Sequence, residues 1–203
     1  NQDDIDRKDI RIGDTVLIER AGDVIPKVVK VITEKRPNGT KPFQIPAECP
    51  ACGHGAHRPE GEVILRCGNI SCPRQIKGRI QHFTSKLAMN IDGLGVKVID
   101  QLVEEGLLKT IDDLYSLNQE SLAALDRLGE KSAGNLIEAI SNSKETTFAR
   151  FVYALGIRNV GEHIAKVLEK QFSGNLGEFQ NADVEELENI DEIGPIVAET
   201  VVQ

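Results

Sequence analysis

Tryptophan is absent and aromatic residues make up only 4% of the 203-residue sequence, so any packed core must be largely aliphatic. No apolar run approaches the ~18 residues that a membrane-spanning helix needs, and no charged start leads into an apolar stretch as in a secretory signal. A cytoplasmic protein with no membrane partner is the expectation. Lys and Arg are missing from residue 171 onward, where Glu178, Asp183, Glu185, Glu186, Glu188, Asp191, Glu192 and Glu199 stand. That tail accounts for the whole net charge of −8 and leaves residues 1–170 neutral. Acids in turn are missing between residues 63 and 91, which hold Arg66, Arg74, Lys77, Arg79 and Lys86. The chain therefore has a basic waist and an acidic tail, and its overall charge does not exclude a polyanionic partner.

Cysteine is scarce but concentrated. All four fall within 24 residues, as CPACG at 49–53 and CGNISCP at 67–73. Each short pair turns the chain tightly enough to aim two sulfurs at one centre, and two such knuckles make the tetrahedral thiolate shell that zinc prefers. Gly53 and Gly68 follow cysteines where a left-handed backbone is expected, and residues 63–65 read as a strand returning the chain to the metal. Two disulfides are the competing reading, disfavoured in a reducing compartment; a redox-active C-x-x-C lacks its strand–helix setting. A Zn2+ held by Cys49, Cys52, Cys67 and Cys72 has a closed shell, so it folds its module and does no catalysis. His54 and His57 lie nearby without being needed as ligands.

The second half carries a repeat. IDGLGVKVID at 91–100, LDRLGEKSAG at 125–134, IRNVGEHIAK at 157–166 and IDEIGPIVAE at 190–199 share one form, an apolar turn, a glycine and the start of a helix. Their aligned glycines, Gly95, Gly129, Gly161 and Gly194, are 34, 32 and 33 residues apart. Helical apolar spacing flanks each turn, so each unit is predicted to be a helix, a tight turn and a second helix. Such a turn exposes backbone N–H groups at a helix mouth, and glycine lets a sugar-phosphate backbone come close. Two residues further on stand Lys97, Lys131, His163 and Ile196; the lysines add a charge-assisted contact to a phosphate, and Ile196 cannot. Contacts of this kind hold nucleic acid without reading its sequence and weaken with salt. A tetratricopeptide-like or ankyrin-like array has a similar period, but its signature residues are missing.

Near the amino terminus, residues 15–19 and 27–32 read as two strands around a Gly-Asp turn, with Pro26 ending the link. Forty-odd residues give too few strands to close a barrel, so a section of a longer protein is expected.

Taken in order, DIRIGDTV and RAGDVIP, CPACG…CGNISCP, the four hairpin turns and KETTFARFVYALGIRNVGE resemble the carboxy-terminal half of bacterial NAD-dependent DNA ligases. The resemblance covers essentially the whole chain. It implies a multidomain α+β architecture: part of an oligonucleotide-binding (OB-fold) β-barrel over 1–46, a four-cysteine zinc module over 47–74, and an all-α tandem helix-hairpin-helix array over 75–203. It further implies a clamp on nicked double-stranded DNA, independent of sequence, within an enzyme that seals nicks during replication and repair. By position, Arg20 would meet phosphate, and Val24 and Ile25 would press on the minor groove, although from the residues alone these two read as strand core. Gly93, Gly95, Lys97, Gly129, Lys131 and Gly161 would touch the DNA backbone, and the four cysteines would hold zinc.

Departures from the family pattern are equally legible. Arg127, Asn159 and Glu192 replace the first glycine of the G-apolar-G turn, which only Gly93 keeps, and the fourth hairpin is acidic. The Lys-x-Asp-Gly motif whose lysine accepts AMP occurs nowhere in the sequence, and no nucleophile–base pair stands out. NAD and Mg2+ thus belong only to the complete enzyme, and the adenylation and BRCT domains would be partners in the same longer chain. A stand-alone, non-catalytic helix-hairpin-helix DNA-binding module is the alternative. A hairpin-containing glycosylase fits less well, because Asp191 precedes its turn.

Overall fold

The computed structural model describes residues 1–21, 25–59 and 61–202, which form two compact units meeting in sequence at Cys72 and Pro73. Helix α1 (Gln2–Arg7) opens the first unit; the Asn1 side chain caps it and acids occupy its first turn. Strands β1 (Val16–Ala21) and β2 (Ile25–Val31) pair antiparallel, Val16 opposite Val31 and Arg20 opposite Pro26, with a bulge between Leu17 and Ile18. Pro26 lies inside β2 and does not end the link. A two-stranded ribbon tolerates it, because one side of each strand is an open edge.

Two further strands, β3 (Ala56–His57) and β4 (Arg66–Cys67), pair antiparallel. Residues 63–65, predicted as a strand, lie outside β4, and Val63 and Ile64 are exposed. Only the residues nearest the cysteine cluster keep the pairing.

This unit has no closed barrel among its described residues, and its only buried apolar residue is Cys72. Polar ties hold it instead. The Arg36 guanidinium forks onto Asp14 at 2.8 and 2.9 Å, and the Asp14 side chain is only 1% exposed. Arg11 and Arg36 together hold the Asp9 carboxyl down at about 2. Gln2 bridges to the backbone of Phe43 and Ile45, and Arg58 pairs with Asp3.

The second unit is helical. Helices α2 (Pro73–Thr84) and α3 (Val96–Glu104) flank the first turn, and α4 (Gln119–Ala123) and α5 (Glu130–Asn142) the second. The third turn lies between α6 (Phe148–Ala154) and α7 (Glu162–Gln171). After α8 (Leu176–Asn181), α9 (Val184–Glu188) and α10 (Pro195–Val202) flank the fourth. The apolar stripe of α2, Ile76, Ile80 and Phe83, follows helical spacing and enters a core with Ile99, Leu102, Leu114, Leu122 and Leu136. Hairpins 3 and 4 share a second core of Phe148, Val152, Leu168, Phe172, Phe179, Leu187 and Ile193. Each pair of hairpins thus buries the apolar faces that one alone would leave wet.

Tyr153 packs against both cores, and its carbonyl lies 2.7 Å from His82 Nε2. Arg150 donates to the carbonyls of Ala88 and Lys86 at 2.9 and 2.7 Å, which fastens α6 to the first hairpin.

Candidate metal centre and nucleic-acid interface

The sulfurs of Cys49, Cys52, Cys67 and Cys72 all lie within 4.8 Å of one another, with Cys52–Cys67 at 3.6 Å and Cys49–Cys72 at 3.9 Å. A regular ZnS4 tetrahedron with bonds of ~2.3 Å has edges of ~3.8 Å, so the donor set fits a four-coordinate zinc ion. Tight turns aim the sulfurs: Gly53 N–H donates to the Cys49 carbonyl at 2.8 Å and Cys72 N–H to the Asn69 carbonyl at 3.0 Å. The His54 amide beside Cys52 is the main cause lowering that thiol to about 7. Cys67 is pushed up to about 11 by burial and the neighbouring sulfurs, which outweigh the Asn69 amide. Packed thiols resist ionising together, and a dication removes that penalty. Gly53 has the expected left-handed backbone at φ 70, but Gly68 does not. A Cβ at Gly68 would instead meet the His57 ring at 3.2 Å, a close approach that its sequence position did not reveal.

The four turns share a backbone shape that their residues conceal. Gly93, Arg127, Asn159 and Glu192 all have positive φ, at 88, 62, 64 and 71°. The second turn glycines differ: Gly95, Gly129 and Gly161 are extended at φ −74, −76 and −83°, a region open to any residue. A Cβ at any of these three, or at Gly194, would meet nothing within 4 Å. Neither backbone strain nor internal packing requires glycine there.

Capping separates these helices from their neighbours. Asn118, Thr147, Asn175 and Asp183 each cap α4, α6, α8 and α9 by accepting from a first-turn amide. Helices α3, α5 and α7 start instead at glycines that offer no such acceptor. Their leading N–H groups have no side-chain cap, and the nearby Lys97, Lys131 and His163 are exposed. Hairpin 4 breaks the pattern, because Pro195 has no N–H to offer and Ile196 stands 71% exposed in place of a cation.

Arg20 is exposed near the end of β1, and Ile25 is 69% exposed at the start of β2, so Ile25 is not core within this stretch. Val24 lies outside the described residues. Sequence reasoning missed a hydrogen-bonded contact between hairpins 3 and 4, His163 Nε2 at the start of α7 to Glu192 Oε2 at 2.6 Å. Its signal was the acid standing in the glycine column of hairpin 4.

A four-cysteine cluster followed in sequence by tandem helix-hairpin-helix lobes defines the class of protein. The comparisons give the same class: residues 150–203 match the helix-hairpin-helix motif and residues 85–142 the SAM-like helix-hairpin-helix tandem. Residues 1–40 match the NAD-dependent DNA ligase OB-fold domain, and residues 48–73 the NAD-dependent DNA ligase C4 zinc finger domain. The chain is 53% identical to the DNA ligase of Nitrosococcus oceani and 52% to that of Methylococcus capsulatus, each over 98% of its own length. It spans 29% of the length of these relatives. The chain belongs to the NAD-dependent DNA ligase family and represents one stretch of it.

Proposed function

We propose that this chain is the DNA-gripping section of an NAD-dependent ligase, holding nicked duplex by its phosphates so that the ends stay aligned for chemistry performed elsewhere. The capping pattern carries the reading: α3, α5 and α7 start at glycines that the fold does not need, while four other helices of the same unit start at side-chain caps. Uncapped amides with open space in front suit an oxyanion. Gly93, Gly95 and Lys97, Gly129 and Lys131, and Gly161 with His163 make three such grips, and hairpin 4 orients its neighbour. Arg20, with Val24 and Ile25, meets the duplex near the nick. Zn2+ on Cys49, Cys52, Cys67 and Cys72 folds its module. NAD and Mg2+ serve the complete enzyme in the bacterial cytoplasm, where adenylation and BRCT domains are the partners of this stretch.

Gly129→Asn tests this directly. Asparagine is a better N-cap than glycine by a few tenths of a kcal/mol, so the melting temperature is expected to hold or rise. The new side chain fills the phosphate position, and duplex affinity measured by fluorescence anisotropy is expected to fall about tenfold, the worth of one charge-assisted contact. Gly194→Asn is expected to change affinity by less than about twofold. Undiminished binding by Gly129→Asn contradicts the reading, and equal losses in the two variants contradict the ranking of the hairpins.

A further inference from the structure

Hairpins 1 and 2 present Lys97 and Lys131 beyond their glycines, and neither lysine is ion-paired among the described residues. Hairpin 3 is different. His163 at the same position donates from Nε2 to the Glu192 carboxylate 2.6 Å away. Glu192 comes from the turn of hairpin 4, at the left-handed position (φ 71°) that glycine fills in hairpin 1. The two side chains are 70% and 53% exposed, so burial does not force them together. Pro195 and Ile196 leave the fourth turn without the amide and the cation that the others carry, so its polar contribution at this point is an acid aimed at its neighbour.

We propose that Glu192 is an internal counter-ion standing where a DNA phosphate would pair with His163, so that hairpin 3 exchanges a carboxylate for phosphate when duplex docks. The proposal rests on the reading of the hairpins as phosphate grips and deepens it. Hairpins 1 and 2 engage without such an exchange, whereas hairpin 3 engages only by breaking its contact with hairpin 4. The fourth hairpin thereby weakens the third and keeps its imidazole from pairing with stray anions. An exposed pair of this kind is worth little, which suits a contact that must open readily.

Glu192→Gln removes the carboxylate and keeps the side-chain length. Any lost acid favours DNA through bulk charge, so Glu199→Gln, an exposed acid on α10, is the control. In anisotropy titrations of the full 203-residue chain with nicked duplex, Glu192→Gln is expected to bind about two- to fourfold tighter than Glu199→Gln. That gain is expected to vanish when both changes are compared in a His163→Ala background. Equal affinities of the two variants, or a gain that survives without His163, would overturn the proposal. Failure of the unaltered chain to bind duplex would overturn the phosphate-grip reading as well; binding that ignores Glu192 removes only the counter-ion.

Discussion

Arg127 sits in a left-handed conformation that costs an ordinary L-residue about 1–2 kcal/mol, in the same turn position where hairpin 1 has Gly93. Glycine there would relieve the strain but add backbone entropy to the unfolded chain, a counter-cost of about 0.5–1 kcal/mol. Arg127→Gly is therefore expected to stabilise the fold by about 0.5–1 kcal/mol, a rise of roughly 2–4 °C in thermal denaturation. Asn159→Gly is expected to leave the melting temperature nearly unchanged, because asparagine tolerates this region better than other side chains. A loss of stability in Arg127→Gly would mean that the arginine makes a contact worth more than the strain. At this scale the sequence was half legible. The second glycine of each turn stands out as a column, because nothing else recurs so regularly. The shared left-handed bend did not, because two of its four positions carry Arg127 and Glu192, residues that give no hint of positive φ.

At the scale of elements, apolar spacing predicted a helix on each side of every turn, whereas α8 and the caps Asn118, Thr147, Asn175 and Asp183 emerge only from the structure. Short strands were less legible. Val63 and Ile64 are β-branched and apolar, yet they remain exposed while the pairing falls on Arg66–Cys67, at the cysteine cluster itself. The first unit has one buried apolar residue among those described, and that residue is Cys72. Its order therefore depends on polar ties and on the metal shell, whose binding energy is folding energy. Chelation of zinc is expected to collapse amide dispersion and hydrogen-exchange protection across residues 48–72. Helices α2 to α10 are expected to keep their protection, because their two cores contain no metal ligand. Protection that survives strong chelation throughout residues 48–72 would show that zinc is not what folds the module.

Across the whole molecule, the acidic net charge misleads unless it is mapped. Hairpins 1 and 2 carry exposed lysines at their helix mouths, while the acids after residue 171 gather around a fourth hairpin that lacks an amide at its first helical position. On the proposed reading, one repeated supersecondary unit serves as a grip three times and is reworked once, with two apolar cores behind the four turns. No helix among the described residues is long and apolar enough to cross a membrane. In the proposed function, uncapped backbone amides at three turns, with Lys97, Lys131 and His163, hold duplex phosphates. Binding of the chain to nicked duplex, intact duplex and single strands across a salt series tests it most directly. Tight duplex binding is expected, strongest on the nicked form, with log affinity falling linearly against log salt and a slope reflecting about three or more phosphate contacts. A flat salt response, or no duplex binding at low salt, would contradict it and return the hairpins to a purely structural role.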